Sequence, residues 1–170
     1  ASGADGVVLD LEDAVAPEAR DRALEHVTAW LAAGHQATVR VTAVGTPTHQ
    51  AQLAALSGFR VAVMLPKTES PGHVADVRAA LPGAPVVPLL ETPAGIRDAD
   101  AVAATDGVAR LALGTFDLAA ELGVDPTSYD ALAYARGRLV MASAAAGLPS
   151  PVDGVTARVD DEDVLAQDLT

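Results

Sequence analysis

The feature of this sequence that most constrains its fold is the regular alternation of short apolar runs with segments of helical character. The runs are rich in Val and Leu, and the first five begin about 20 to 30 residues apart. Strands that alternate with helices in this way pair in parallel through helical crossovers, so the pattern predicts an α/β fold. The predicted strands cover residues 6–12, 37–43, 61–67, 85–91 and 110–115, with a weaker one at 151–156.

Helical segments separate these runs. The clearest is 17–33, where Pro17 suits a first turn, Val27 and Leu31 are four positions apart, and Gly34 follows as a stop signal. An Ala-rich segment later in the chain closes in the same way at a glycine. The other predicted helices cover residues 47–57, 72–81, 127–146 and 160–169.

A parallel α/β chain can form either an open doubly wound sheet or a (β/α)8 barrel. Neither G-x-G-x-x-G nor G-x-x-x-x-G-K-[ST] follows the first strand, so the nucleotide-binding folds lack their main signal. We therefore expect a (β/α)8 barrel of the TIM type. A complete barrel takes ~250 residues. Residues 1–170 are expected to form a single incomplete barrel domain, with about six of the eight β/α units and without the first and last strands.

Composition limits both the core and the partners. The chain is 50% hydrophobic but only 3% aromatic, so the core is expected to consist mainly of Ala, Val and Leu. The formal charge of −12 argues against nucleic acid, because phosphate binding needs clustered Lys and Arg. No apolar run approaches the ~20 residues that span a bilayer, so no membrane partner is expected. The lack of Cys excludes thiolate chemistry and is typical of a cytoplasmic protein, the location we expect.

Strand alternation places charged side chains on the face of the sheet that becomes the barrel interior. In the second run, Arg40 lies on the face opposite Val39 and Val41. In the first run, Asp10 and Glu12 share the equivalent face. A charge inside a barrel is costly unless it is paired, hydrated or bound to a ligand, so these residues are candidates for a site.

Two later strands each end in an acid, Glu91 and Asp117. Parallel-sheet enzymes assemble their sites at the C-terminal edge of the sheet. Neighbouring strands lie about 4.8 Å apart, so both carboxylates can reach one cation. Without Cys or suitably spaced His, the donors are oxygen atoms, which suit Mg²⁺ or Mn²⁺. The alternative for each acid taken alone is that it caps the helix that follows.

Five strings of the sequence occur in an order that resembles one known family. They are "GADGVVLDLEDAVAPEAR", "VRVTAVGTP", "VMLPKTES", "VVPLLETPAGI" and "LALGTFDLAAELGV". They resemble the HpcH/HpaI aldolase/citrate lyase family and, within it, the citrate lyase beta-subunit branch. The resemblance implies a (β/α)8 barrel that uses Mg²⁺ to make or cleave a C–C bond between an acyl-CoA and a 2-oxo acid. Citryl-CoA and malyl-CoA lyases are such enzymes, and family members are commonly homo-oligomers.

The resemblance also implies roles for individual residues. Glu91 and Asp117 match the metal ligands of the family, and Arg40 matches the arginine that holds the oxo-acid carboxylate. These three are the expected catalytic residues, and Arg40 and Glu91 are also expected to bind substrate. Glu12 and Asp13 are expected to orient Arg40 or the water molecules of the metal.

Three further observations complete the comparison. Lys67, the only lysine of the chain, ends the third run and is expected to help bind the anionic part of CoA. Relatives usually carry Asn where this chain has Thr42, so a side-chain amide contact is expected to be lost. The four histidines have no metal-ligand spacing, and no role is assigned to them.

Two other functions stay open. One is a class II aldolase that acts on free 2-oxo acids without CoA, and the other is a non-catalytic fragment that retains the site but not the closed barrel. The string "LDLEDAV" argues against the first, because that branch of the family tends to carry a different acidic motif. If the chain is instead part of a Mg²⁺-dependent acyl-CoA lyase, its expected partners are a 2-oxo acid and an acyl-CoA.

Overall fold

The structure is a computed structural model, and it describes residue 4, residues 6–156, residue 158 and residues 160–168. Strands and helices alternate through most of this range, as the apolar runs predict. The strands are β1 (Val8–Asp10), β2 (Thr38–Arg40), β3 (Ala62–Leu65), β4 (Val86–Leu90) and β5 (Ala112–Leu113). The helices are α1 (Arg20–Ala32), α2 (His49–Leu56), α3 (Pro71–Ala80), α4 (Pro93–Arg97), α5 (Ala99–Ala103), α6 (Thr115–Leu122), α7 (Tyr129–Ala145) and α8 (Glu162–Asp168).

The five strands form one sheet in the order β1-β2-β3-β4-β5, and every neighbouring pair is parallel. A doubly wound sheet reverses its strand order at a switch point, whereas a barrel keeps it. The barrel-type prediction is therefore confirmed over the described residues. The sixth predicted strand, 151–156, is reduced to a single parallel bridge between Val152 and Ala112, which continues the order beyond β5.

Predicted helix ends agree with the structure where a clear local signal exists. The 17–33 segment opens as a 3-10 turn, Pro17–Ala19, and continues as α1 up to Ala32. Gly34 then adopts φ +87°, which a residue with a Cβ rarely does, so the helix stops there. The predicted 160–169 helix corresponds to α8, although residue 169 lies outside the described residues.

Three short helices, α4, α5 and α6, were not predicted. The first two are five residues long, too short to display a helical repeat of apolar residues. The sequence does carry a signal for α6, because Leu118 and Leu122 are four positions apart and Gly123 ends the helix in the left-handed conformation. As a result the predicted strand 110–115 is too long, and only 112–113 is strand.

The core lies between the sheet and its covering helices. Val39 and Val41 are fully buried there, and they pack in one apolar cluster with Leu53 of α2 and Val74 of α3. Among the described residues this cluster contains only Leu, Val, Ala and one Ile, so the predicted aliphatic core is confirmed. The same alternation leaves Arg40 half-buried on the opposite face, which is the side that carries the site.

Within the part of the chain that the structure describes, no helix combines the length and the apolar character that crossing a membrane would require.

Candidate active site

A pocket of about 420 Å³ lies at the C-terminal ends of the strands. Because all five strands are parallel, the residues that follow them meet at this one edge. Apolar side chains of the sheet, including Met64 and Leu89, line part of the pocket. Its charged lining comes from β1 and the segment after it, from β2, from the segments after β4 and β5, and from the residue after Val152. It consists of Asp10, Asp13, Arg40, Glu91, Asp117 and Asp153.

Arg40 is held by Asp10, its partner across the parallel pair β1 and β2. The Arg40 Nε donates to Asp10 Oδ1 at 2.8 Å, and Arg40 Nη2 donates to Asp10 Oδ2. Although burial opposes it, the hydrogen bond from Arg40 holds the pKa of Asp10 below its ordinary value of 3.8. The hydrogen bond to Asp10 likewise raises the pKa of Arg40, so the guanidinium remains charged. The pair leaves Arg40 Nη1 free of Asp10 and available to other acceptors.

Asp10 also fixes the segment that follows β1. Its Oδ1 accepts from the backbone N–H of Glu12 at 2.9 Å, and its Oδ2 accepts from the N–H of Ala14 at 3.0 Å. Sequence reasoning placed Asp10 on the interior face but did not include it among the site residues. The sequence does carry a signal for this role. Asp10 and Arg40 are both predicted on the interior face, where a charged side chain needs a partner of opposite charge.

Glu12 and Asp13 lie on the other side of Arg40. Arg40 Nη1 is 3.5 Å from Glu12 Oε2 and 3.8 Å from Asp13 Oδ2. Glu12 is buried, and its Oε2 has no hydrogen-bond partner among the described residues, whereas the Asp13 side chain is exposed. Burial, followed by the nearby charge of Asp13, raises the pKa of Glu12 to about 7. A buried carboxyl without a full set of donors favours its neutral form.

Lys67 connects three of the acids. Its backbone N–H donates to Glu91 Oε1 at 2.9 Å, and its Nζ lies 2.8 Å from Asp117 Oδ2 and 3.6 Å from Glu12 Oε1. Burial lowers the pKa of Lys67, but the hydrogen bond to Asp117 and the surrounding carboxylates raise it above its ordinary value. The ammonium group is therefore charged and paired, and a contact of Lys67 with CoA stays a prediction.

Glu91 and Asp117 are presented by different kinds of element. Glu91 directly follows β4 and is buried, and burial raises its pKa above the ordinary value of 4.5 although the Lys67 N–H opposes this. Asp117 lies in the first turn of α6 and not on a strand. Neither acid caps a helix. The N-cap of α4 is Thr92, whose Oγ1 accepts from the Gly95 N–H at 3.1 Å, and the N-cap position of α6 is Gly114. The capping alternative is wrong for both acids.

The donor chemistry at Glu91 and Asp117 fits a hard divalent cation. In the range the structure describes, no three His, Asp or Glu side chains converge into a metal-binding group. A cation held by these two carboxylates would take its remaining ligands from water or substrate oxygen atoms, as Mg²⁺ usually does. The space beside Glu91 depends on a glycine, because a Cβ at Gly114 would lie 2.4 Å from Glu91 Oε2.

A buried polar network supports the loop after β2, and sequence reasoning did not identify it. The Thr42 N–H donates to Gln52 Oε1 at 2.8 Å, and Gln52 Nε2 reaches the carbonyl of Leu11 at 3.5 Å. His49 Nδ1 donates to the Thr42 carbonyl at 2.6 Å. Gln52 therefore supplies an amide contact at Thr42, where the sequence predicts that one is lost. His49 is buried in this network, a structural role that its spacing does not reveal.

Comparisons with known proteins show the family of this chain. A family model described as HpcH/HpaI aldolase/citrate lyase matches residues 1–169. The chain is 33% identical over 171 residues to a (3S)-malyl-CoA thioesterase of Cereibacter sphaeroides, an alignment that covers 95% of this chain and 59% of that protein. The chain thus spans about three fifths of the length of the curated relatives of this name.

Solved structures show the same fold. One is a citrate lyase beta subunit from Mycobacterium tuberculosis complexed with oxaloacetate and magnesium, with a TM-score of 0.86, 29% identity, and coverage of 97% of this chain and 75% of that one. Another is protein CitE from the same organism in complex with magnesium, acetoacetate and coenzyme A, with a TM-score of 0.86, 29% identity, and coverage of 97% and 62%.

Proposed function

Because this chain belongs to the HpcH/HpaI aldolase/citrate lyase family, we propose that it forms part of a Mg²⁺-dependent carbon–carbon lyase. The reaction is cleavage or formation of a 3-hydroxyacyl-CoA such as citryl-CoA or malyl-CoA, with a 2-oxo acid and an acyl-CoA on the other side. One observation carries the proposal, the convergence of Arg40, Glu91 and Asp117 on one pocket at the C-terminal edge of the sheet. The magnesium, oxaloacetate and coenzyme A bound by similar proteins support it.

Glu91 and Asp117 would hold the cation through their carboxylate oxygen atoms. When bound, Mg²⁺ supplies Lewis-acid polarisation of the hydroxyl or keto oxygen of the substrate. Glu91 is positioned for this by the Lys67 N–H, which engages Oε1, and by Gly114, which leaves space beside Oε2. Burial raises the pKa of Glu91, and a divalent cation bound to its carboxylate would offset that cost by favouring the charged form.

Arg40 would bind the carboxylate of the 2-oxo acid. Asp10 takes one edge of the guanidinium, so Nη1 and the remaining N–H of Nη2 can form a second two-point contact with a substrate carboxylate. Because Asp10 already fixes the plane of the group, little side-chain entropy is lost when the substrate binds. Glu12 and Asp13, both beside Nη1, would hold Arg40 in place and accept hydrogen bonds from water near the cation.

A second function with support is hydrolysis of the thioester, because the curated relative is named as a (3S)-malyl-CoA thioesterase. The two reactions break different bonds of the same substrate. Cleavage of the C–C bond of malyl-CoA yields glyoxylate and acetyl-CoA, whereas hydrolysis of the thioester yields malate and free CoA with a thiol. The products therefore decide between them.

The test is to incubate the protein with malyl-CoA and citryl-CoA in the presence of Mg²⁺ and to quantify oxo acid, acetyl-CoA and free thiol separately. We expect oxo acid and acetyl-CoA in equal amounts, lost in Glu91→Gln and retained in Glu121→Gln, an exposed acid of α6. Free thiol without oxo acid would favour the thioesterase. Activity on free 2-oxo acids alone would favour the aldolase, and oxaloacetate binding that is indifferent to Mg²⁺ and to Glu91→Ala would remove the site assignment.

A further inference from the structure

Lys67 is the only lysine of the chain, and it contacts both of the proposed metal ligands. Its ammonium lies 2.8 Å from Asp117 Oδ2, while its backbone N–H donates to Glu91 Oε1 at 2.9 Å. The ammonium is also 3.6 Å from Glu12 Oε1. A single residue thus holds two acids that follow neighbouring strands, and it does so at the oxygen atoms a cation would use.

The backbone of Lys67 is unusual in a way that serves these contacts. Its φ is 48°, and among the described residues it is the only non-glycine residue with a positive φ. Side chains with a Cβ rarely adopt this conformation, and where they do, surrounding contacts hold it in place. Here the N–H is directed to Glu91 and the side chain to Asp117, so the conformation is coupled to the position of both acids.

The pocket carries more negative than positive side chains, which favours binding of a cation there. Six carboxylates line or border the pocket, and one of them, Asp153, is paired with Arg136 at 2.9 Å. Among the described residues, the cations found in ion pairs with the other five are Arg40 and Lys67. Arg40 pairs with Asp10, Glu12 and Asp13, whereas the ion pair of Asp117 is with Lys67. The other five carboxylates are those of Asp10, Glu12, Asp13, Glu91 and Asp117.

We propose that Lys67 is a positioning residue that holds Asp117 while no divalent cation is bound and competes with that cation for the Asp117 carboxylate. The inference rests on the proposed function, since it takes Glu91 and Asp117 as the ligands. Binding of the cation breaks the Lys67–Asp117 pair, and the ammonium then pairs with Glu12, its other carboxylate neighbour. Lys67 therefore lowers the affinity of the site for the cation and keeps the acids in place without it.

Metal affinity tests this directly. Dissociation constants for Mg²⁺ by calorimetry, and for Mn²⁺ by electron paramagnetic resonance, would be compared for the wild type, Lys67→Met and Lys67→Arg. Met keeps the Cβ and an unbranched side chain that ends one atom short of the ammonium, so the backbone is equally constrained. We expect Lys67→Met to bind the cation roughly threefold to tenfold more tightly, because a competing charge is lost. Lys67→Arg should stay within about twofold of the wild type.

A matched control is Arg138→Met, which removes an ion pair with Asp100 at 2.6 Å, between residues that do not line the pocket. It should leave metal affinity unchanged. Thermal unfolding gives a second readout, since Lys67→Met should be less stable than the wild type in chelator and should gain more in melting temperature on addition of Mg²⁺. A variant that fails to fold would be identified here, and Lys67→Arg with the spectroscopic measurement below would still test the inference.

The single lysine permits a measurement on the wild type itself. Protein labelled with lysine carrying ¹⁵N at Nζ should give one ammonium resonance from this side chain, and saturating Mg²⁺ should shift it as Asp117 is exchanged for Glu12. An unchanged resonance at saturation would overturn the inference, as would equal or weaker metal binding by Lys67→Met. If the wild type shows no metal binding that depends on Glu91, the proposed function fails as well. If metal binding depends on Glu91 but is the same in the wild type and Lys67→Met, the inference about Lys67 is wrong and the proposed function stands.

Discussion

Asp10 and Arg40 face each other across the first pair of parallel strands and form a two-point ion pair inside the sheet. The same Asp10 carboxylate accepts the backbone N–H groups of Glu12 and Ala14. One side chain therefore sets both the plane of the guanidinium and the path of the acidic segment after β1. Displacing it would disturb two parts of the pocket at once.

Replacing Asp10 by Asn should weaken catalysis through Arg40. Asn keeps the size of the side chain but loses the charge and one acceptor, so the guanidinium is no longer held at two points. We expect kcat/KM for malyl-CoA cleavage to fall about tenfold to a hundredfold, the range typical of residues that orient a side chain in contact with the ligand. Asp21→Asn, an exposed acid of α1, is the control and should change nothing. Equal kinetics in both variants would contradict the role of Asp10.

Arg40→Lys tests the two-point contact with the substrate carboxylate. Lysine keeps the positive charge but lacks the planar fork, so it can satisfy neither Asp10 nor a carboxylate at two points. Steady-state kinetics should show a fall in kcat/KM of roughly a hundredfold, because the contact strengthens as charge develops in the transition state. An unchanged kcat/KM in Arg40→Lys would show that the substrate carboxylate is not bound by two N–H groups of a guanidinium.

Gly114→Ala should weaken metal binding while the protein stays folded. The new Cβ would lie 2.4 Å from Glu91 Oε2 and 2.5 Å from Glu91 Cβ, so the carboxylate has to move. Calorimetry should show Mg²⁺ affinity at least tenfold weaker, because a displaced ligand no longer reaches the cation. The matched control is Gly137→Ala in α7, where a Cβ meets nothing within 4 Å. That variant should bind metal normally and be about 1 kcal/mol more stable, since Ala favours a helix over Gly.

Glu12 should make the stability of the metal-free protein depend on pH. Its pKa is about 7 in the folded chain and 4.5 ordinarily, so between these values the folded state binds more protons than the unfolded state. The free energy of unfolding should therefore fall as pH rises from 4.5 to about 7 and then level off, by up to roughly 3 kcal/mol from this group. Urea unfolding in chelator should show that Glu12→Gln removes this part of the slope. An identical slope in the variant would refute the assignment.

Gln52→Leu should destabilise the loop after β2. The buried N–H of Thr42 loses its acceptor, which costs about 1–3 kcal/mol of unfolding free energy. Gln50→Leu, an exposed position on the same helix, makes the same substitution without breaking a contact and should stay within about 0.5 kcal/mol of the wild type. Chemical denaturation of the two variants measures the difference. Equal stabilities would show that the Thr42 amide is satisfied in another way.

Local patterns determined much of the fold. Short runs of Val and Leu predicted all five strands, and Pro17, Gly34 and Gly147 marked where helices begin or end. The short helices α4 and α5 escaped prediction because five residues show no period. Strand order was not readable locally, since the same alternation is compatible with a doubly wound sheet. The barrel type follows only from the observed strand order, in which each of the strands β1 to β5 pairs with the next one along the chain.

The sequence by itself determined which residue types face the pocket, because side chains alternate along a strand and parallel strands end at one edge. Arg40, Glu91 and the acids of "LDLEDAV" were found in that way. The tertiary structure alone decided which of them touch. Asp10 meets Arg40 through the register of two strands, and Lys67 meets Asp117 although 50 positions separate them. Such contacts depend on how distant segments pack, and local sequence patterns do not predict that packing.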